Sequence, residues 1–243
     1  MISGIFSTLL PILADMTESR AKKLSLLLKS LTVLTSLGGL LVSIFEAGAH
    51  GYSHWSKRFL YFTAQSNVWI GATMLAFLVC ALFRKKPPAF LYVLKYIFTV
   101  SITVTFLVFT CLLGPFGDPS YHLWAFSSWL THILAPLFAV ADFFVDREFI
   151  PLRRGQVWIC VLPPLAYSAF VVLLELFHVD FGRGLIYPYF FMDIRSPVGF
   201  FGFSKELPYF AGTFYWFLLL ALLVLGIGAL YLRLHERKEN STR

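Results

Sequence analysis

A chain of 243 residues, 58% hydrophobic and only 14% charged, lacks the charged share of about 25% found in average soluble proteins. Its net charge of +7 could suggest a nucleic-acid partner, but the basic residues sit in short clusters between long apolar stretches, and no nucleic-acid partner is expected. Cys80, Cys111 and Cys160 all fall in apolar stretches, have no metal-type spacing, and read as small buried hydrophobes.

Met1–Ala14 is apolar but too short to span a bilayer and lacks the basic start of a signal peptide. It reads as an interfacial segment or, alternatively, a mobile tail. Six windows follow, Leu24–Phe45, Phe59–Phe83, Leu91–Leu113, Leu123–Val145, Val157–Phe177 and Leu207–Leu232, each meeting the ~20 apolar residues that a bilayer requires. Backbone groups in hydrocarbon must be satisfied internally, which favours helices. The predicted fold class is all-α: a six-helix transmembrane bundle forming one membrane domain over residues 1–243. With the N-terminus placed inside, only Lys57, Arg58, Arg183, Arg195 and Lys205 of the 20 Lys and Arg fall outside. This bias predicts cytoplasmic termini. Lys29 and Lys95 lie close enough to helix ends to be expected to snorkel.

The connections carry turn chemistry: a basic break at Arg84–Pro88, Pro115, Gly117 and Pro119 within Gly114–Tyr121, and a mixed-charge loop at Asp146–Gly155. No internal repeat is visible. The long connection His178–Glu206 contains Phe181, Tyr187, Tyr189, Phe190, Phe191, Phe200, Phe201 and Phe203. It reads equally as a lid over a site and as an aromatic belt at the interface.

Polar and small residues recur at helical spacing within the spans: Thr32, Ser36, Gly39, Ser43 and Glu46 in the first, Thr63, Ser66, Asn67 and Gly71 in the second. The fourth gives Ser128, His132, Pro136, Ala139 and Asp142, and the fifth Pro164, Ser168 and Glu175. Ser, Thr, Gly and Ala at this spacing read as helix-packing surfaces; the acids and histidine favour a polar cavity. His132 suits a general base. Thr63, in a polar run with Gln65, Ser66 and Asn67, suits a nucleophile, with Ser66 or Asn67 stabilising an oxyanion. The plainer reading of Thr63 is a hydrogen bond to its own helix. On nominal boundaries Thr63 and His132 differ in depth by ~8 Å at ~1.5 Å per residue. Asp142 reads as structural, paired with inner-loop arginines.

A metal site built from His50, His54, His122, His178, Glu46, Asp180 and Asp193 is the rival chemistry, but no compact ligand signature occurs. A Gly-rich phosphate loop, a Cys-His pair and a G-x-S-x-G elbow are also absent from the sequence. Neither metal nor cofactor is expected.

Three segments, YFTAQSN at 61–67, WLTHILAP at 129–136 and IYPYFFMD at 186–193, resemble bacterial six-span membrane proteins of the Pr-six-Pr type. More distantly, they are similar to the androgen-induced and androgen-dependent intramembrane threonine hydrolases of animals. The likeness runs from the first helix to the last. It implies hydrolysis of fatty acid esters of hydroxy fatty acids, with Thr63 in the position of the family threonine and His132, ahead of Pro136, in that of its histidine. Tyr187-Pro188 and the aromatics after it take the place of the family's Tyr-Pro-Phe. Two departures are the histidine-to-proline interval, one residue shorter here, and the Gln-Ser-Asn that follows Thr63.

The resulting expectation is an intramembrane hydrolase of lipid acyl esters, with Thr63 as nucleophile and His132 as base. Gln65, Ser66, Asn67, Glu46, Ser128, Glu175, Tyr187 and Asp193 are expected around an oxyanion site or cavity, and the Phe181–Phe203 loop closes over the acyl chain. Membrane lipids and a lipid ester are the expected partners, in the plasma membrane if the chain is bacterial. The alternatives are a small transporter or lipid-binding protein coupling protons through Glu46, His132 and Glu175, and a non-catalytic accessory protein.

Overall fold

In hydrocarbon every backbone amide needs an internal partner, and the six apolar windows meet that demand as helices. The computed structural model describes residues 17–116, 124–146 and 152–241, with side chains through Glu236. The Met1–Ala14 segment, His122, and the expected turns from residue 117 to Tyr121 and from Arg147 to Pro151 lie outside the described residues. Six helices are long and apolar enough to cross a membrane: α1 (Glu18–Glu46), α2 (Phe62–Leu82), α3 (Ala89–Phe116), α4 (Phe126–Val145), α5 (Gln156–Leu176) and α6 (Thr213–Ser241, apolar to Glu236). Among the described residues no strand forms; Phe203 and Ala211 make one isolated bridge.

Three helices start later than expected, α4 among them at Phe126 rather than Leu123. Residues Trp55–Leu60 wind into a 3-10 turn, so α2 begins at Phe62 rather than Phe59. Residues 202–212 fold back on themselves, with Gly212 N–H donating to Gly202 O (2.8 Å) and Ser204 N–H to Phe210 O (3.1 Å), which delays α6 to Thr213. These local bonds satisfy backbone groups that a longer helix would otherwise have taken.

Helices α1 to α4 form the packed bundle: α1 lies against α2 and α4, and α3 packs on both of those partners. Small residues make this approach possible. A Cβ added to Gly39 would sit 2.8 Å from Leu130 Cβ and Thr131 Cγ2 of α4, and one added to Gly71 would sit 2.5 Å from Ser36 Oγ of α1. This is the close backbone contact that membrane helices use in place of a hydrophobic driving force. Helices α5 and α6 flank the bundle, and exposed leucines line them, among them Leu165, Leu173, Leu218 and Leu222.

At the Glu18 end of α1 the expected snorkelling does not occur. Lys29 and Lys95 are 4% and 3% exposed and turn inward. Lys29 Nζ lies 3.0 Å from Asp142 Oδ1 and 2.7 Å from Asp146 Oδ2; Lys95 Nζ lies 2.5 Å from Asp142 Oδ2 and 2.6 Å from Asp146 Oδ2. Among the described residues Asp142 is therefore paired with two lysines of α1 and α3 and not with loop arginines, and it also accepts from Ser25 Oγ at 2.7 Å. Buried charges require such mutual pairing, and the ring of Phe77 lies under both ammonium groups.

The long aromatic connection is neither a free lid nor only a surface belt. Phe181, Tyr189, Phe190, Phe191 and Met192 are buried in one cluster with Phe62 of α2, Leu113 of α3, Tyr167 of α5 and Trp216 of α6. Phe200, Phe201 and Phe203 remain exposed. The inner half of this loop therefore plugs the Glu46 end of the bundle.

Candidate active site

The site is built where two helices depart from α-geometry. Proline has no N–H to donate, and both α3 and α4 carry one near the Glu46 end: Pro115 follows a π-helical turn at Phe109–Leu113, and Pro136 follows another at Trp129–Leu134. Single π turns inside α-helices often mark functional sites. Here they face each other, with the Phe109 ring stacked on the His132 imidazole at 4.1 Å between centroids and 26° between planes.

Opposite them, Thr63 occupies the first turn of α2. Its Oγ1 lies 3.1 Å from His132 Nε2, so the depth difference estimated from nominal boundaries disappears: the two helices do not begin at the same level. The other ring nitrogen fixes the proton. His132 Nδ1 lies 3.1 Å from the Ser128 carbonyl, which can only accept, and 3.2 Å from Thr131 Oγ1. The Thr131 hydroxyl hydrogen already goes to Ser127 O at 2.8 Å, so its oxygen also accepts. Nδ1 therefore carries the hydrogen, and Nε2 turns its lone pair to the Thr63 hydroxyl. A base held in this tautomer by a third group is the arrangement that activates a hydroxyl nucleophile.

Two small cavities meet at this pair. One, of about 70 Å³, is lined by polar groups including Ser43, Arg58, Tyr61, Ser128 and Tyr189. The other, of about 50 Å³, is lined mainly by apolar side chains including Phe62, Val108, Leu113, Phe191 and Leu220. Thr63, Leu113, His132 and Tyr189 line both. Each cavity exceeds the roughly 30 Å³ share of one liquid water.

The other expected residues divide. Ser128 lines the polar cavity and orients the histidine. Ser66 and Asn67 are fully buried with their donors in use: Ser66 Oγ reaches Thr63 O (3.1 Å) and Thr105 Oγ1 (2.9 Å), and Asn67 Nδ2 reaches Thr63 O (2.8 Å) and Thr131 O (3.1 Å). They lock the helices around the pair and do not face its cavities. Gln65 points to Phe59 O and to a groove beside Trp69 and Phe98. Glu46 accepts from the Ser127 hydroxyl, one residue from the His132 orienting group. Glu175 Oε2 accepts from Ile194 N–H, Asp193 Oδ1 from Arg195 N–H, and the Tyr187 hydroxyl meets that of Tyr209, so these three brace the loop instead of lining the chamber. Burial raises the Asp193 carboxyl above its usual range, opposed by the Arg195 amide and guanidinium.

Three residues at the site were not expected from sequence. Phe109 covers the imidazole. Tyr189 lines both cavities beside Thr63; burial pushes its phenol up to about 12, opposed by the nearby Thr63 hydroxyl and backbone. Arg58 lines the polar cavity, lies over the Tyr52 ring at 4.6 Å, and has an Nη 2.6 Å from His50 Nδ1. Its Nε is buried without a hydrogen-bond partner. Burial lowers its pKa, opposed by Tyr52 and Glu46. The described histidines of the rival metal reading are otherwise engaged: His50 with Arg58, His54 with Ser56, and His178 with Arg195. Among the described residues no three His, Cys, Asp or Glu side chains converge on a point.

The chain matches no protein-family model, no curated protein and no solved structure.

Proposed function

We propose that this protein is an intramembrane hydrolase of lipid acyl esters, such as fatty acid esters of hydroxy fatty acids, with Thr63 as nucleophile and His132 as general base. The observation that carries the reading is the 3.1 Å contact from Thr63 Oγ1 to an Nε2 whose lone pair is free for it. The likeness of the Tyr61–Asn67 and Trp129–Pro136 segments to intramembrane threonine hydrolases points the same way, and the distribution of Lys and Arg favours the half of the membrane away from the cytoplasm for the pair.

In this mechanism the Thr63 hydroxyl passes its proton to His132 Nε2 as Oγ1 bonds to the ester carbonyl carbon. The carbonyl becomes an oxyanion. The Tyr189 hydroxyl, which lines the same two cavities as Thr63, is the donor that stabilises it. Collapse breaks the ester C–O bond, and the departing alkoxide takes the proton from Nε2. A water molecule then gives a proton to His132 Nε2 and its hydroxide to the acyl carbon; the acyl–Oγ1 bond breaks, the acid leaves, and Thr63 Oγ1 takes the proton back from Nε2. The apolar cavity suits the acyl chain, whose burial contributes ~0.8 kcal/mol per CH₂. Arg58 sets a positive charge at the polar side, where it favours an acidic or strongly polar substrate end.

The test is labelling of the full chain by a fluorophosphonate probe. The wild type and Thr63→Ser become labelled, whereas Thr63→Ala and His132→Ala lose labelling by about 10³-fold or more. Labelling of the two alanine variants at the wild-type rate removes the hydrolase reading.

A further inference from the structure

A second cavity, larger than the two at the Thr63–His132 pair, lies elsewhere in the protein. It measures about 640 Å³ and lies at the Glu18 end of α1, between the start of that helix and the turn joining α2 to α3. Its floor reaches Ser25 and Lys29, above the buried lysine–aspartate cluster. Lys29 and Asp146 offset each other there, together with Lys95 and Asp142. The rest of the ionic lining is Lys22, Arg84, Lys85 and Lys86 against Glu18. Among the described residues the chamber's lining therefore carries an excess of cations.

The basic turn is held in a fixed shape. Arg84 adopts a left-handed conformation (φ 52°), which ends α2, and Lys85 N–H closes on Cys80 O at 2.8 Å. Pro87 and Pro88 then set the entry to α3. Among the described residues no carboxylate pairs with Arg84, Lys85 or Lys86, and all three side chains are exposed. Beside them in the chain, Leu82, Phe83 and Phe90 are exposed apolar residues at the ends of membrane-spanning helices. The opening thus combines three cations, Arg84, Lys85 and Lys86, that no described carboxylate pairs, with a neighbouring surface suited to acyl chains.

We propose that this chamber is a binding site for the phosphate of an anionic phospholipid. The headgroup phosphate binds at the Arg84–Lys86 turn, and the acyl chains lie along Leu82, Phe83 and Phe90. Basic pockets between membrane helices recognise anionic headgroups by this combination. The cavity stands at the opposite end of the bundle from Thr63, so the inference holds whether or not the chain is a hydrolase. Inorganic phosphate shares the headgroup's chemistry and lacks the chains.

The test is native mass spectrometry of the full chain in neutral detergent, titrated separately with phosphatidylglycerol, phosphatidylcholine and inorganic phosphate. Phosphatidylglycerol is expected to bind at least about ten-fold more tightly than phosphatidylcholine, because each Lys or Arg near the headgroup adds several-fold. Arg84→Gln/Lys85→Gln/Lys86→Gln is expected to lose that preference and to keep its phosphatidylcholine affinity, which reports an intact fold. Arg153→Gln/Arg154→Gln/Arg233→Gln, with the same charge change on other helix ends, is expected to keep the preference. Three results overturn the proposal: an undiminished preference in the first variant, an equal loss in the second, or displacement of the lipid by inorganic phosphate at matching concentration.

Discussion

Asn67 on α2 donates a side-chain N–H to the Thr131 carbonyl on α4 at 3.1 Å. That carbonyl is the one whose π-helical partner, five residues on, is Pro136, which has no hydrogen to give. The neighbouring helix thus satisfies a group that the proline leaves bare, and the π turn carrying His132 is stabilised from outside its own chain segment. Pro136→Ala supplies an N–H that can close on the His132 carbonyl in ordinary α-geometry. Re-registering the turn by one residue rotates His132 by about 100°. The expected result is fluorophosphonate labelling reduced at least about ten-fold with a melting temperature unchanged or raised. Wild-type labelling in this variant shows that the proline does not set the histidine.

The same contact predicts a stability effect. Asn67→Ala removes both amide bonds to Thr63 O and Thr131 O in a fully buried position and leaves two carbonyls under-satisfied. A loss of about 1–3 kcal/mol is expected, measured by reversible unfolding in mixed micelles. A change below about 0.5 kcal/mol means that water or relaxation replaces Asn67.

Tyr189 gives a kinetic prediction. Its phenol, pushed up to about 12, stays protonated at neutral pH and remains a donor. Tyr189→Phe keeps the ring in its aromatic cluster and removes only the hydroxyl. On an ester substrate kcat is expected to fall by about 10²-fold with KM little changed. A rise in KM at constant kcat instead assigns the hydroxyl to ground-state binding.

The six helices were legible because hydrocarbon makes one demand on the backbone, and unbroken apolar length answers it. Thr63 and His132 were legible because a hydroxyl in a polar run and an imidazole in a span are uncommon. Their partners were not. Tyr189 reaches Thr63 across more than a hundred residues of chain, and nothing in a sequence with 11 Tyr and 27 Phe distinguishes it from its neighbours. Ser66 and Asn67 looked like oxyanion donors because they follow Thr63 by one turn, but that turn places them in the helix–helix seam. Lys29 and Lys95 sit near helix ends, where snorkelling is the default. The overlooked signal was the four-residue spacing of Asp142 and Asp146, which puts both carboxylates on one face of α4.

That buried cluster predicts an asymmetry between single and paired substitutions. Lys95→Met leaves Asp142 and Asp146 facing Lys29 alone, and a loss of about 3–5 kcal/mol is expected. Adding Asp142→Leu restores one positive and one negative charge in an otherwise apolar setting, and most of that loss is expected to return. Reversible unfolding of both variants measures the difference. A double variant no more stable than Lys95→Met shows that geometry, not charge balance, holds the cluster.

Asp146, just beyond the last turn of α4, ties the cluster to pH. Burial alone would raise its carboxyl, but the Lys95 and Lys29 ammonium groups outweigh this and hold it well below the usual carboxylate range. A group whose pKa is lower folded than unfolded adds stability above its unfolded value, near 3.9 for Asp, and loses it as pH falls toward the folded value. The melting temperature of the wild type is therefore expected to hold from neutral pH to about pH 5 and then to drop on further acidification. Asp146→Asn has no such carboxyl, so it starts lower at neutral pH and the gap between the two proteins narrows below about pH 4. A gap that stays constant from pH 7 to pH 3 means that Asp146 is not held ionised by the two lysines.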